Sequence, residues 1–126
     1  IENVMLPMGY AGMRRSERRT RAVELLEQVG LSERMYHLPT MMSGGEQQRV
    51  AIARSLALRP DLILADEPTG NLPSDRGEEI LQILEGLNRE GVTVVMVTHD
   101  ENLGRRARRC IRMRDGLVEN DEETKA

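Results

Sequence analysis

Apolar residues recur at helical spacing in two segments of the first half of the chain. In the first, Ser16 can cap the start of a helix that runs to residue 29, and Gly30 can end it. In the second, Ser43 and Glu46 have the spacing of a capping box, and helical periodicity continues from there until the next proline. The pattern therefore predicts two helices, one beginning near Ser16 and one that Ser43 opens.

Two short apolar runs in the second half, residues 62–65 and 92–97, have the composition of strands that are buried on both faces. Between them, residues 74–87 place apolar side chains at helical spacing, and Ser74 can cap that helix. Strand, helix and strand in this order predict a parallel βαβ unit.

Weaker signals occupy the remaining segments. A short helical turn is expected over residues 32–36, and a short basic helix or turn over residues 102–109. Apolar positions on either side of Asp115-Gly116 predict a terminal hairpin, since Asp-Gly favours a two-residue turn. Residues 119–126 are rich in acidic side chains, so we expect a frayed tail there.

Composition limits the kind of protein. With 126 residues, 39% hydrophobic and 31% charged, the chain has the balance of one soluble globular domain, and no apolar run approaches the roughly 20 residues of a spanning helix. Cys110 is the single cysteine, which indicates a reducing compartment. The net charge of −3 argues against a nucleic-acid binder that relies on bulk positive charge. We interpret a local group of arginines as a solvated helix face; it comprises Arg14, Arg15, Arg18, Arg19 and Arg21.

The turn formed by Ser43, Gly44 and Gly45 is a candidate phosphate site. Glycines let backbone amides approach a phosphate closely, the serine adds a hydroxyl, and the start of a helix carries partial positive charge. A plain helix cap is the alternative interpretation of the same three residues.

Polar residues follow both predicted strands, Asp66-Glu67 after the first and Thr98-His99 after the second. The carboxyl ends of parallel strands form the ligand side of a βαβ unit. An acid pair there can hold Mg²⁺ with one carboxylate and orient an attacking water with the other, as nucleotide hydrolases require. Taken alone the pair is weak evidence, because strands often end in polar residues.

Four ordered motifs together resemble the ATP-binding-cassette (ABC) family. Residues 42–54 resemble its signature motif, residues 62–67 its Walker B strand, residues 70–74 its D-loop and residues 98–100 its switch-histidine segment. The similarity runs from Glu2 to Glu119, in family order and at family spacing.

The resemblance implies an α/β fold, namely the C-terminal portion of a P-loop NTPase domain with part of the helical signature subdomain. It places that helical part at residues 1–58, the α/β core with Walker B, D-loop and switch histidine at residues 59–120, and a tail at residues 121–126.

Functional roles follow from the same resemblance. The signature residues would bind the ATP of a second subunit in trans; these are Ser43, Gly44, Gly45 and Glu46. Within the chain's own site, Glu67 would polarise the attacking water, His99 would contact the γ-phosphate, and Asp66 would hold Mg²⁺ through water. The D-loop would be formed by Asn71, Leu72, Pro73 and Ser74.

The implied partners are a second ABC ATPase subunit, as a homodimer, and a transmembrane permease, without nucleic acid. Such a subunit lies peripherally on the cytoplasmic face of the plasma membrane. The sequence of residues 67–72 most resembles the sequences of the family branch that releases lipoproteins or exports macrolides. Two alternatives stay open: a soluble, non-transport ABC ATPase, and a non-catalytic module that only dimerises.

The chain departs from the family pattern in two respects. No G-x-x-x-x-G-K-[ST] motif occurs in the 126 residues, and the Q-loop is also missing. Both precede the position of Ile1 in the family, so we expect this chain to be the C-terminal part of a longer ATPase and to be inactive alone. The second departure is Pro73, which stands where the family D-loop usually carries an aspartate.

Overall fold

The computed structural model describes residues 1–124, and this part of the chain forms five α-helices, two 3₁₀ turns and two small sheets. The α-helices are α1 (Glu2–Tyr10), α2 (Arg15–Gln28), α3 (Gly44–Ser55), α4 (Ser74–Arg89) and α5 (Glu101–Gly104). The 3₁₀ turns span Ser32–Arg34 and Pro39–Met41. The strands are β1 (Leu62–Asp66), β2 (Thr93–Val97), β3 (Arg109–Arg114) and β4 (Leu117–Glu123). No helix within residues 1–124 is long and apolar enough to cross a membrane.

The first three helices pack together and supply most of the hydrophobic core. Its fully buried members come chiefly from α1 and α2: Val4, Met8, Ala22, Leu25 and Leu26. Helix α3 adds Ile52 and Ala53. The pattern of the sequence did not predict α1, because Pro7 lies inside it and proline normally disfavours a helix interior.

Two predicted helix caps are wrong. Helix α2 begins one residue before Ser16, and the backbone N–H of Arg14 donates to the Glu17 carboxylate at 3.4 Å instead. Helix α4 begins at Ser74 itself, so Pro73 occupies the capping position, with φ −55° and ψ 151°. In both helices the serine lies inside the first turn, where its hydroxyl does not serve as the cap.

The βαβ unit is confirmed. Strands β1 and β2 pair in parallel, from Leu62 opposite Thr93 to Asp66 opposite Val97, and α4 connects them. Ile63 points into the core, where α4 contributes Ile80 and Leu84.

The expectation that both strands are buried on both faces is wrong. Leu64 is 75% exposed and Val97 is 61% exposed. Helix α4 covers one face of the two-stranded sheet, and no second layer within residues 1–124 covers these side chains.

The terminal hairpin is also confirmed. Strands β3 and β4 pair antiparallel around Asp115 and Gly116, whose φ angles of 49° and 78° are those of a type I′ turn. The Arg109 guanidinium donates to both carboxylate oxygens of Asp121, at 2.8 and 2.6 Å. The expected frayed tail is wrong over residues 119–123, which belong to β4, and residues 125–126 lie outside the described part. The predicted basic helix is shorter than expected and ends at Gly104.

The interpretation of the arginines in and just before α2 as a solvated helix face is only partly correct. Arg19 stacks on the Tyr36 ring, 5.7 Å from its centre, and donates to the Tyr36 hydroxyl at 2.8 Å. Arg18 and Arg21 are half-buried, whereas Arg14 is exposed. The arginines therefore also tie α2 to the segment that precedes α3.

The helical core predicts how stability depends on packing. Leu25 is fully buried, so Leu25→Ala should lower the free energy of unfolding by about 2–5 kcal/mol through lost burial and a cavity. Leu58→Ala is the matched control, because Leu58 is 52% exposed and its truncation should cost within about 0.5 kcal/mol. Urea unfolding followed by circular dichroism measures both. Equal losses would show that α2 is not packed as described.

Candidate functional site

The ends of β1 and β2 meet at one edge of the small sheet. Asp66 is the last residue of β1 and pairs with Val97, and the Glu67 N–H extends the ladder by donating to the Val97 carbonyl at 2.8 Å. The parallel register thus brings Glu67 next to Thr98 and His99, which follow β2.

The Glu67 carboxylate is held by three contacts from the residues after β2. The backbone N–H of His99 donates to Oε1 at 2.9 Å, and the His99 ring Nδ1 lies 2.6 Å from the same oxygen. The Thr98 hydroxyl donates to Oε2 at 3.3 Å. The sequence places Thr98 at this strand end, but only the structure shows that its hydroxyl binds Glu67.

These contacts set the charge states of the pair. The side-chain hydrogen bond with His99 is the largest cause that lowers the pKa of Glu67 from its ordinary value of 4.5. The same bond raises the pKa of His99 from its ordinary value of 6.5. The favourable charge pairing is therefore complete at pH values between these two ordinary pKa values. It weakens when the pH falls through the lowered pKa of Glu67 or rises through the raised pKa of His99.

The backbone at Glu67 adopts an unusual conformation. Its φ of +43° lies in the left-handed region, which costs a non-glycine residue on the order of 1 kcal/mol. The Gly70 N–H donates to the Glu67 carbonyl at 3.1 Å and closes a turn directly after it. This turn, together with the bond to Val97, holds the carboxylate towards His99.

The carboxylate at the end of β1 suits a metal ion that is held mainly by a substrate. Asp66 is exposed at the strand end, and no group of three or more His, Cys, Asp or Glu side chains within residues 1–124 could hold an ion. Mg²⁺ commonly takes one or two carboxylates and completes its shell with phosphate oxygens and water. Asp66 fits such a shared site.

The capping box at the start of α3 is confirmed. The Ser43 N–H donates to the Glu46 carboxylate at 2.8 Å, and the Glu46 N–H donates to the Ser43 hydroxyl oxygen at 3.2 Å. The hydrogen bond from the Ser43 backbone is the main cause that lowers the pKa of Glu46, and Arg34 lies 3.2 Å from its other oxygen. Glu46 is therefore engaged in shaping the turn, while Ser43 and Gly44 are exposed.

The Ser43 turn lies against the loop that precedes α4. A Cβ at Gly44 would meet the Leu72 side chain at 3.4 Å, and one at Gly45 would meet Arg76 at 3.7 Å. Among residues 1–124, however, no hydrogen bond or ion pair joins this turn to Asp66 or Glu67. The predicted site residues thus form two groups, one at the sheet edge and one at the start of α3 beside Leu72.

Comparison with known proteins identifies one family. The family model described as ABC transporter matches residues 2–70, more than half of the chain. The chain is 52% identical over 126 residues to the macrolide export ATP-binding/permease protein MacB of Bradyrhizobium diazoefficiens, covering all of this chain and 19% of that protein. It is 53% identical over 118 residues to the uncharacterized ABC transporter ATP-binding protein MJ1508 of Methanocaldococcus jannaschii, covering 94% of this chain and 53% of that protein.

A solved structure shares the fold. The ATP-binding cassette MJ0796, described as a dimer in a post-hydrolysis state bound to ADP and Pi, superposes with a TM-score of 0.83 at 49% identity. The superposition covers 99% of this chain and 56% of that one. The chain thus spans at most about half the length of these relatives, and its fold is that of part of an ABC ATPase cassette.

The Glu67–His99 contact predicts how the pKa of the His99 ring responds to loss of the Glu67 charge. In the wild-type chain the His99 ring should titrate above 6.5, because its protonated form is stabilised by Glu67. Glu67→Gln should move the midpoint down towards 6.5, since the charge is lost. Nuclear magnetic resonance of the imidazole protons against pH measures it. Glu46→Gln, a carboxylate change away from the sheet edge, should leave His99 unaltered; an equal shift in both variants would contradict the pairing.

Proposed function

This chain belongs to the ABC transporter family, and from that premise we propose that it forms the hydrolytic and signature portion of an ATPase subunit that powers export through a membrane partner. The observation that carries the proposal is the Glu67 carboxylate, which is held at the sheet edge by Thr98 and His99. This chain covers 19% and 53% of two curated relatives, so the proposal concerns a subunit in which these residues act together with a phosphate-binding loop.

In the proposed reaction, water attacks the γ-phosphorus of ATP at the sheet edge, the bond from that phosphorus to the β-phosphate oxygen breaks, and ADP and inorganic phosphate are released. Glu67 is ionised at neutral pH and orients the water by accepting its hydrogen. His99 is 87% exposed at its side chain and engages Glu67 through Nδ1, so its Nε2 is available to donate to the phosphate. When bound, Mg²⁺ would neutralise phosphate charge, and Asp66 is the residue that would hold it through water.

The Ser43 turn serves a different nucleotide. Ser43 and Gly44 are exposed at the start of the 12-residue helix α3, whereas Gly45 is buried, and none of the three is hydrogen-bonded to Glu67. This separation favours a role towards the ATP of a second subunit. Ser43 and the backbone amides of Gly44 and Gly45 contact the phosphate, and Glu46 fixes the turn. The dimer described for the related cassette MJ0796 supports two facing subunits, and the same is proposed for this chain as a homodimer.

We assign different roles to the helical and the α/β part of the chain. Residues 1–58 form the helical signature part, and residues 59–120 form the α/β part with Walker B, D-loop and switch histidine. Helix α1 exposes Leu6 by 51% and Tyr10 by 84%, beside Arg15, and we assign this surface to the transmembrane permease. The subunit then lies peripherally on the cytoplasmic face of the membrane. Similarity to macrolide export proteins favours the export branch.

Glu67 gives the direct test of hydrolysis. In a subunit that joins these residues to the phosphate-binding loop, Glu67→Gln should lower ATP turnover by about 100-fold or more, because the amide cannot take a proton. The ATP dissociation constant should stay within about threefold, since the loop that holds the phosphates is unchanged. Steady-state hydrolysis and calorimetry measure the two. Glu33→Gln, at an exposed glutamate of the first 3₁₀ turn, is the control. Unchanged turnover in Glu67→Gln would remove Glu67 from the reaction.

Pro73 gives a second test, at the loop before α4. It provides no side-chain cap and no charge, although its carbonyl accepts the first helical bond from Gly77 at 2.8 Å. Pro73→Asp should cap α4 and stabilise the protein by about 0.5–2 kcal/mol. It should also raise turnover or the Hill coefficient, because in the proposed dimer a D-loop carboxylate would face the partner subunit.

The neutral control separates these two effects. Pro73→Asn caps α4 equally well but adds no charge. If both variants raise the melting temperature and Asp alone raises turnover or the Hill coefficient, the charge acts across the dimer. Equal turnover in Asp, Asn and wild type would show that proline at this position does not limit activity.

A further inference from the structure

Arg49 joins three helices of the chain. From the middle of α3, its Nη1 donates to the Val29 carbonyl at the end of α2, at 3.1 Å. Its Nη2 forms an ion pair with the Glu79 carboxylate on α4. The Arg49 side chain is 21% exposed and that of Glu79 is 39% exposed, so the pair is partly shielded from water.

The backbone of the chain leaves room for this arginine. Gly30 ends α2 with φ +74°, and a Cβ placed there would come within 3.0 Å of Arg49 Nη1. An added side chain would be strained at this φ and would also move the guanidinium by a few tenths of an ångström. An ordinary surface ion pair stabilises a fold little, but Arg49 also has a backbone carbonyl as its partner. The glycine, the backbone carbonyl and the carboxylate together hold Arg49 in one orientation.

The pair links the two segments that carry site residues. Arg49 is the sixth residue of α3, and Glu79 is the sixth residue of α4. About one turn earlier in each helix, Gly45 approaches Arg76, and Gly44 approaches Leu72 in the loop before α4. The ion pair therefore holds α3 and α4 together about one turn after the contact between the Ser43 turn and the loop before α4.

Helix α4 is held on another side by the segment that follows His99. The Arg106 guanidinium donates to both carboxylate oxygens of Glu78, at 2.6 and 3.0 Å, and to Glu85 at 2.9 Å. The adjacent residues Glu78 and Glu79 thus bind different elements. One ties α4 to the chain after His99, and the other ties α4 to α3.

We propose that Arg49 is a positioning residue that, through Glu79, fixes the Ser43 turn relative to the loop before α4 and so couples two nucleotide sites. This inference rests on the proposed function, in which the Ser43 turn serves the partner's ATP and Glu67 serves the chain's own. A displacement of α3 at one site is passed to α4, and α4 carries it to the D-loop and, through Arg106, to the segment after His99.

The test compares Arg49→Met with Arg76→Met in the subunit that includes the phosphate-binding loop. Arg76 contacts the same carboxylate at 3.3 Å from within α4, and only its aliphatic stem lies near Gly45 of α3. Methionine keeps that stem and removes a charge that pairs within α4 alone, so Arg76→Met is the matched control. Arg49→Met should lower kcat about 10-fold and bring the Hill coefficient towards 1, with KM within about twofold. Arg76→Met should leave all three near wild type.

Hydrogen exchange in the 126-residue chain provides a readout that does not depend on turnover. The amides of Gly70, Leu72 and Gly77 are hydrogen-bonded around the loop before α4, and Arg49→Met should speed their exchange about 10-fold. Amides of the β3–β4 hairpin should exchange as in wild type, which excludes general unfolding.

Each outcome can be assigned to one hypothesis. A wild-type subunit without ATP turnover overturns the proposed function, whereas faster exchange in Arg49→Met still supports the positioning role. Unchanged exchange and kinetics in Arg49→Met overturn the inference, and so do equal losses in Arg49→Met and Arg76→Met.

Discussion

The parallel pairing of β1 with β2 is the constraint on which the candidate site depends. Because Asp66 lies opposite Val97, the next residue along each strand falls at the same edge, and Glu67 meets Thr98 and His99. A register shift of one residue would turn every strand side chain to the other face and separate the carboxylate from the imidazole. Ile63, buried against α4, opposes such a shift, because its side chain would leave the core.

Local signals in the sequence are sufficient for the elements that carry this arrangement. The capping box of Ser43 and Glu46, the Asp115-Gly116 turn and the strand-helix-strand order all depend on neighbours within a few residues, and the structure agrees with each. Local rules fail where two of them compete. Ser16 and Ser74 satisfy the cap preference, yet the chain starts each helix earlier, and α1 forms despite a proline inside it.

Tertiary contacts explain what the sequence could not predict. An apolar run indicates that a strand favours burial, but whether one face or two are covered depends on which layers pack on it, and Leu64 shows the difference. The contact between the Ser43 turn and Leu72 joins segments that are far apart in the chain and have no shared periodicity. Likewise, Arg49 and Glu79 are separated by 30 positions. In the sequence, each is a charged residue of the kind that is common on an exposed helix face.

In the proposed function each ATP site is divided between two subunits. Each chain must then relate its Ser43 turn to its Glu67 edge, a requirement that a self-contained site does not impose. The Ser43 turn and the Glu67 edge share no hydrogen bond within residues 1–124, so neither can sense the other directly. Something rigid must relate them if hydrolysis at one nucleotide is to depend on the other. Helix α4 meets that requirement, since it starts beside the Ser43 turn, packs under the sheet and binds α3 and the segment after His99 through adjacent glutamates. Its 16 residues make it the longest helix in the described chain, and a long helix transmits a displacement along its axis with little bending.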